Sequence, residues 1–313
     1  MDILFLMDSL EAIQPATDTT WALMRKARER GHRAWFAHPS SLSLEGGDPW
    51  VRARPVDVPG STGAYTWRGD FEWREVSSFR IVWIRKDPPF DLAYVESTWI
   101  LERVDRRRCR VVNDPAGVRA ANEKLYALRF PDLCPKTIVT SDRARIRAFV
   151  EEHGEAVLKP LDGAGGEGIV FATRGMRGLS ALIELATRRG ARCEAQVYLP
   201  GASKGDKRIL LLDGEVLGAV LRVHGPGEER NNLHLGGHAE AAHISAEDRR
   251  IVETIAPSLK RDGLVFVGID VIDGRLTEVN VTSPTGIQEL ERLEGVDATG
   301  TVIDWCEKNA PKG

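Results

Sequence analysis

Between Leu158 and Val170 the chain reads Leu158-Lys-Pro-Leu-Asp-Gly163-Ala-Gly165-Gly166-Glu-Gly168-Ile-Val170. Apolar residues on both sides of four glycines predict strand, glycine loop, strand. Gly163, Gly165 and Gly168 satisfy G-x-G-x-x-G. A dinucleotide-binding turn needs a helix after its last glycine, however, and Ile169-Val-Phe-Ala172 is strand-like. A Walker loop ends in Gly-Lys-Ser/Thr, whereas Lys159 here precedes the glycines. The kinase-type G-x-G-x-x-G-x-V is matched through Val170 and lies between two strands, yet no His-Arg-Asp or Asp-Phe-Gly triplet occurs in the chain. Two readings survive: a loop that lays backbone N–H groups over nucleotide phosphates, or a flexible hairpin without a ligand. Lys159 favours the first. The chain has 10 lysines against 33 arginines, and a compact ammonium beside the glycines meets phosphate oxygens as a point charge.

The glycines also mark the organisation, because 16 of the 30 fall between Gly154 and Gly237. Before them lies a βαβ series. Ile3 to Met7 reads as a strand, Asp18-Thr19-Thr20 caps a helix closed by Gly31, and Ala34 to Ala37 is a second strand. A hairpin spans Val51 to Val76, Ile81 to Ile84 is a buried strand, and a helix from Leu92 to about Arg107 leads to Val111-Val112. These elements predict a small parallel α/β domain over residues 1–120. A second segment, 121–200, carries the glycine loop among short strands and helices. A third, 201–313, holds two hairpins, Arg208 to Val223 and Val265 to Asn280. A polar loop from about His224 to His243 separates them, and helices follow. A length of 313 residues suits two or three domains.

The second hairpin, Val265-Phe-Val-Gly-Ile-Asp270-Val-Ile-Asp-Gly274-Arg-Leu-Thr-Glu278-Val-Asn280, sets acids inside apolar strands. Buried carboxylates are costly unless paired or bound to a cation. Glu278 and Asn280 share a face by strand alternation. With a two-residue Asp273-Gly274 turn, Asp270 faces away from them. A three-residue loop with left-handed Gly274 brings all three together. Such hard oxygen donors suit Mg²⁺ bridging phosphates, and the competing reading is polar residues that face water.

Taken in order, these stretches resemble prokaryotic glutathione synthetase, an ATP-grasp ligase family, from Met7-Asp8 to about Glu289. Arg85-Lys-Asp-Pro-Pro-Phe-Asp91, Asn122-Glu-Lys-Leu125, Leu158-Lys-Pro-Leu-Asp-Gly163, Gly205-Asp-Lys-Arg208 and Thr277-Glu-Val-Asn-Val-Thr-Ser-Pro-Thr285 carry the likeness. The resemblance implies an α/β (α+β) chain: an ATP-grasp fold preceded by a small Rossmann-like parallel-sheet domain. It implies a ligase that joins γ-glutamylcysteine to glycine through an acyl phosphate, releasing ADP and phosphate. By the same resemblance Lys124 and Lys159 meet the nucleotide under Gly163, Gly165, Gly166 and Gly168. Val197, Tyr198 and Leu199 form the adenine hinge, while Asp206, Arg208 and Arg222 line the phosphate and acyl-phosphate region. Asp270, Glu278 and Asn280 hold Mg²⁺, with Mn²⁺ as a substitute, and Arg85, Ser283 and Pro284 contact the dipeptide. A homo-tetramer is implied too.

His224 to Gly237 reads as a lid with glycines at both ends. It departs from the family, with no proline after Arg222, Asn231 in place of a glycine and His238 where arginine is common, so a different amine or dipeptide stays open. Another carboxylate–amine ligase on this fold, or a non-catalytic nucleotide binder, are the competing classes.

Other features read as structural. His234, His238 and His243 lack the spacing of a zinc site. Trp67, Trp73, Trp83 and Trp99 suit a core or an interface, and Arg106-Arg107-Arg108 caps a helix end. A formal charge of −3 argues against nucleic acid as a partner. The four scattered cysteines and the absence of a long apolar run predict a cytoplasmic, non-membrane protein.

Overall fold

The computed structural model describes residues 1–60, 63–163, 165–225 and 236–312. Its first sheet is built from β1 (Asp2–Met7), α1 (Thr19–Glu29), β2 (Arg33–Ala37), β3 (Leu42–Glu45), β4 (Asp48–Asp57), β5 (Thr66–Trp67), β6 (Glu72–Glu75), β7 (Ile81–Arg85), α2 (Leu92–Leu101) and β8 (Arg110–Val112). The path runs β3-β4-β2-β1-β7-β8, with β5 and β6 on β4. β2, β1, β7 and β8 are parallel, as the alternating strand and helix pattern requires. Asp18 caps α1 by accepting from the Trp21 N–H at 2.7 Å, a bond worth about 1 kcal/mol.

α2 stops at Leu101, short of the expected Arg107. The three arginines therefore cap no helix. Arg106 pairs with Asp114, Arg107 with Asp105 and Arg108 with Glu75, so local acids rather than a dipole hold them. Trp83 is buried, whereas Trp73 and Trp99 are 53% and 52% exposed.

α3 (Pro115–Ala120) and α4 (Glu123–Ala127) lead to a separate antiparallel sheet. It contains β9 (Thr137–Thr140), α5 (Arg143–His153), β10 (Glu155–Pro160), β11 (Val170–Thr173), α6 (Leu179–Ala186) and β12 (Cys193–Val197), ordered β11-β10-β12-β9. Ile146, Val150, Leu158, Ile183 and Ala195 form its own core.

The third sheet has β13 (Asp206–Leu212), β14 (Glu215–Val223), β15 (His238–Ala241), α7 (Ala246–Arg261), β16 (Phe266–Ile272) and β17 (Arg275–Asn280), ordered β15-β14-β13-β16-β17. α8 (Ile287–Glu294) and α9 (Ala298–Asn309) close the chain. Residues 238–241, expected within a polar loop, instead pair with β14, whose edge would otherwise leave its N–H and C=O groups unmatched.

The first and third sheets share cores. One cluster contains Leu4, Val82, Val267 and Ile269 together, and another contains Phe5, Trp83, Leu210 and Ile287. Trp83 meets Phe266 edge-to-face at 5.8 Å, an arrangement worth about 0.5–1.5 kcal/mol beyond area burial. Between the two units, buried Asn113 uses its whole amide. Its nitrogen donates to Phe266 O and Val281 O, and its oxygen accepts from Val265 N and Phe266 N, all within 2.7–2.8 Å. An amide with every hydrogen bond satisfied in a dry site ties the end of β8 to β16 and the segment after β17.

Candidate active site

A cleft opens between the second and third sheets. Its walls include Val157, Ile169, Phe171 and Ile272, the segment Val197-Tyr198-Leu199, and charged residues from both sheets. Three of the loop glycines, Gly165, Gly166 and Gly168, have φ of 62°, 84° and 71°, the left-handed backbone that favours glycine. Gly163 is needed for another reason. A Cβ there would stand 2.7 Å from Glu167 O. The loop therefore joins β10 and β11 as an antiparallel pair, the topology that the dinucleotide motif cannot adopt.

Both expected lysines lie here and both are buried. Lys159, on β10, donates to Gln196 Oε1 at 3.1 Å and has Glu194 Oε2 and Glu278 Oε1 at 3.6 and 3.8 Å. Lys124 donates to Glu123 Oε1 at 2.7 Å and Gly163 O at 2.8 Å, so α4 is fastened to the glycine loop. Burial disfavours the Lys124 ammonium, but the charges of Glu278 and Glu123 outweigh it and raise the ammonium's pKa.

Strand register gathers the acids and arginines. Asp206 pairs with Arg222, Arg208 with Asp270, and Asp270 with Glu278. Directly opposed residues, and residues two apart, share a face, so Asp206, Arg208, Arg222, Asp270, Glu278 and Asn280 all project into the cleft. The expected route to this register needs correction. The Asp273-Gly274 turn is the two-residue kind, with Ile272 opposite Arg275, and an extra residue at Thr277 shifts the ladder between Val271 and Asp270. This bulge, in which Thr277 Oγ1 donates to Asp270 O at 3.0 Å, performs the role assigned to a three-residue loop.

Arg208 grips Asp270 with two bonds, 2.5 and 3.0 Å, and Arg222 grips Asp206 at 2.6 and 2.7 Å while reaching Asp270 at 3.0 Å. Burial pushes Asp270 upward, but the two guanidiniums prevail and hold it below the usual carboxylate range. Burial wins at Asp206 and pushes it up to about 6 despite Arg222. A Cβ at Gly268 would lie 3.0 Å from both Arg208 Cδ and Pro284 Cβ, so the glycine makes room for the Arg208 chain.

A second cavity of about 570 Å³ continues from the first, sharing Glu123, Gly165, Arg208, Arg222 and Asn280. Ser283 and Pro284 line it, as do Asp8, Asp18 and Asp87 of the first domain. Arg85 lies behind this wall. It is 3% exposed and donates to Thr20 Oγ1 at 3.0 Å and Pro284 O at 3.1 Å. The structure thus places it beneath the Ser283-Pro284 turn.

Glu123, Glu194 and Gln196 went unread in the sequence. Gln196 accepts from Lys159 and donates to Thr137 Oγ1 and Glu194 Oε1, and Glu194 is fully buried, its carboxyl pushed up by burial. The available signal was two polar residues, two apart, on the apolar strand Cys193–Val197. Most of the lid expected over 224–237, with Asn231 and His234, lies outside the described residues.

The donor set can accept a hard cation. Asp270, Glu278 and Asn280 offer two carboxylates and an amide carbonyl, and the Glu278 carboxylate makes no hydrogen bond among the described residues. Asp270 would share its oxygens with the arginines.

Family models match nearly the whole chain. The prokaryotic glutathione synthetase N-terminal domain matches residues 1–119 and the prokaryotic glutathione synthetase ATP-grasp domain residues 123–295. The chain is 48% identical to glutathione synthetase of Thermosynechococcus vestitus, over 97% of this chain and 99% of that one. It is 47% identical to the Synechococcus elongatus enzyme over 100% of both, and 41% identical to that of Xanthomonas campestris over 98% of both. Among solved structures, D-cycloserine synthetase DcsG superposes with a TM-score of 0.67 at 19% identity, covering 98% of this chain and 99% of that one. The ATP-grasp ligase PsnB in complex with its minimal precursor, Mg and ADP gives 0.64 at 18%, covering 99% and 98%. At such identities the superpositions speak for the ATP-grasp fold alone.

Proposed function

We infer the reaction from one premise: the chain belongs to the prokaryotic glutathione synthetase family. It is an ATP-dependent ligase that makes glutathione, with γ-glutamylcysteine, glycine and ATP as substrates and ADP and phosphate as products. Fold neighbours serve other chemistries, so the fold could not supply this assignment. The observation that carries it is identity of 47–48% along essentially the full length of two glutathione synthetases.

The geometry supports a division of labour. ATP lies in the cleft between the second and third sheets, its base against Val197–Leu199 and its phosphates under the glycine loop, met by Lys124 and Lys159. γ-Glutamylcysteine occupies the adjoining cavity by Ser283 and Pro284. Its glycyl-accepting carboxylate must attack a γ-phosphate although both are anionic. Arg208 and Arg222 line both cavities, where this repulsion is greatest. Arginines preorganised in a buried site offset charge developing in flight without reorienting water. The acyl phosphate then takes glycine's amine, and phosphate leaves. Arg85 acts from behind by fixing the Ser283-Pro284 turn.

Asp270, Glu278 and Asn280 would hold Mg²⁺, or Mn²⁺ in its place, which supplies charge neutralisation on phosphate oxygens. The balance of side chains fits such a cation. Lys124, Lys159, Arg208 and Arg222 face Glu123, Glu194, Asp206, Asp270 and Glu278, an excess of acid before any phosphate enters. Assembly as a tetramer, which the family resemblance implies, would give the exposed Leu92 and Trp99 of α2 an apolar partner. No helix among the described residues is long and apolar enough to cross a membrane, and a cytoplasmic setting completes the proposal.

ADP release tests the reading. It should require γ-glutamylcysteine and glycine together, with glutathione appearing in equal amount. Release at full rate with either substrate omitted, or with another amine preferred over glycine, would overturn it.

A further inference from the structure

A cavity of about 880 Å³ lies between β8–α3 and the C-terminal end of α7, sharing no lining residue with the nucleotide cleft or the substrate cavity. Four arginines, Arg106, Arg110, Arg129 and Arg261, and two acids, Asp114 and Asp262, supply its charges. Both acids are committed. Asp114 caps α3 through Ala116 N at 2.9 Å and pairs with Arg106. Asp262 accepts from Tyr126 Oη at 2.8 Å, Arg129 at 2.7 Å and Arg261 at 3.0 Å. Arg110 has no carboxylate partner among the described residues, and its guanidinium lies 5.7 Å from the Trp305 ring centroid. The cavity lining thus sets four arginines against two acids, a net charge of +2, in a chain whose formal charge is −3.

Its back wall is closely packed. A Cβ at Gly117 would stand 2.0 Å from Asp262 O, and one at Gly263 would stand 2.5 Å from Asp114 Cβ. Asp114 N donates to Gly263 O at 3.0 Å across the same seam. Val111, Ala116 and Val265 add an apolar floor. Concave, preformed, partly apolar sites of roughly 300–1,000 Å³ are the size of small-molecule pockets, and arginine is the side chain best shaped for phosphate and carboxylate.

We propose that this cavity is a second binding site, separate from the nucleotide cleft, for a small phosphate-bearing polyanion of at least two negative charges. Arg110 and Arg261 contribute charge to its lining, and neither belongs to the ligase machinery. The Arg261 side chain is 60% exposed and Arg110 is exposed as well, so both can be reversed without opening a core.

The test is isothermal titration of the full chain with inorganic tripolyphosphate in metal-free buffer. Two sites are expected, because the nucleotide cleft also attracts the probe. Arg110→Glu and Arg261→Glu should each remove or weaken one site by at least about tenfold and leave the other intact. Ligase turnover and melting temperature should stay at wild-type values, which separates loss of the site from loss of the fold. One site in the wild type, or two sites that both survive the reversals, overturns the proposal.

Discussion

Arg208 and Asp270 face one another across β13 and β16, and their two hydrogen bonds of 2.5 and 3.0 Å are buried on both sides. Removing the Asp270 charge leaves Arg208 without a carboxylate. Asp270→Asn should therefore lower folding stability by about 3 kcal/mol, the scale for breaking a buried pair, and reduce kcat by roughly a hundredfold or more. Urea unfolding and steady-state assays check the two halves. An unchanged midpoint would mean the pair is only loosely held.

Lys159 and Lys124 differ in their anchors, one on a strand and one on a short helix fastened to the glycine loop. Lys159→Met should raise the KM for ATP at least about tenfold, since a charge-assisted phosphate contact is lost. Far-ultraviolet circular dichroism should not change. Equal KM values for ATP in mutant and wild type would remove Lys159 from the nucleotide site.

Gly168 combines a φ of +71° with a Cβ position 2.7 Å from Pro160 Cγ. Gly168→Ala should cost about 1 kcal/mol or more from left-handed strain alone, and ATP affinity should fall as the loop shifts. Gly154, with φ +86° but open space around it, provides the control in which only the backbone term operates. The comparison fails if Gly154→Ala impairs ATP binding as much as Gly168→Ala.

Chelation by EDTA should abolish turnover, and Mn²⁺ as well as Mg²⁺ should restore it. Glu278→Gln should raise the Mg²⁺ concentration for half-maximal activity by roughly tenfold or more while the fold stays intact. An EDTA-treated enzyme with full activity would exclude the hairpin as a metal holder.

All four cysteines are buried thiols. Burial pushes Cys109, Cys134 and Cys306 up to about 12 and Cys193 up to about 11, from an ordinary value of 9.0. A raised acid keeps its proton in the folded chain after the unfolded chain has released it. Stability is thus unaffected by these groups below pH 9 and declines progressively as pH climbs from 9 toward 12. Urea midpoints at pH 8 and 10 should differ in that direction. Ellman's reagent at pH 8 should find no rapidly reacting thiol until the chain is unfolded.

The sequence made local chemistry legible where spacing alone determines geometry. Asp18 is the helix cap that the sequence predicts, and the glycine loop lies between strands because no helix former follows Gly168. It was silent where a distant partner decides. Arg85 exits a parallel strand as a ligand-binding residue would, but the carbonyl that it supports belongs to Pro284, 199 residues away. Glu194 was unreadable because its partner, Lys159, is brought beside it only by pairing of β10 with β12. The Asp270–Glu278 register was the most instructive. Both turn residues were visible, yet the deciding bulge falls at Thr277, which has no composition signal for an extra residue.

Asn113 also bears on mechanics. With its amide riveting β8 to β16, and with apolar clusters shared across that seam, the first and third sheets are packed as one body. The four-stranded unit has a core of its own. The cleft is then expected to open by a swing of the four-stranded unit against the other two sheets, loosening the Lys124–Gly163 O bond that fastens α4 to the glycine loop. Hydrogen exchange gives the check: β8 and β16 amides should lose protection together and last, and β10 and β12 should respond to ATP independently of them. Synchronous exchange of all three sheets would mean that the four-stranded unit has no motion of its own.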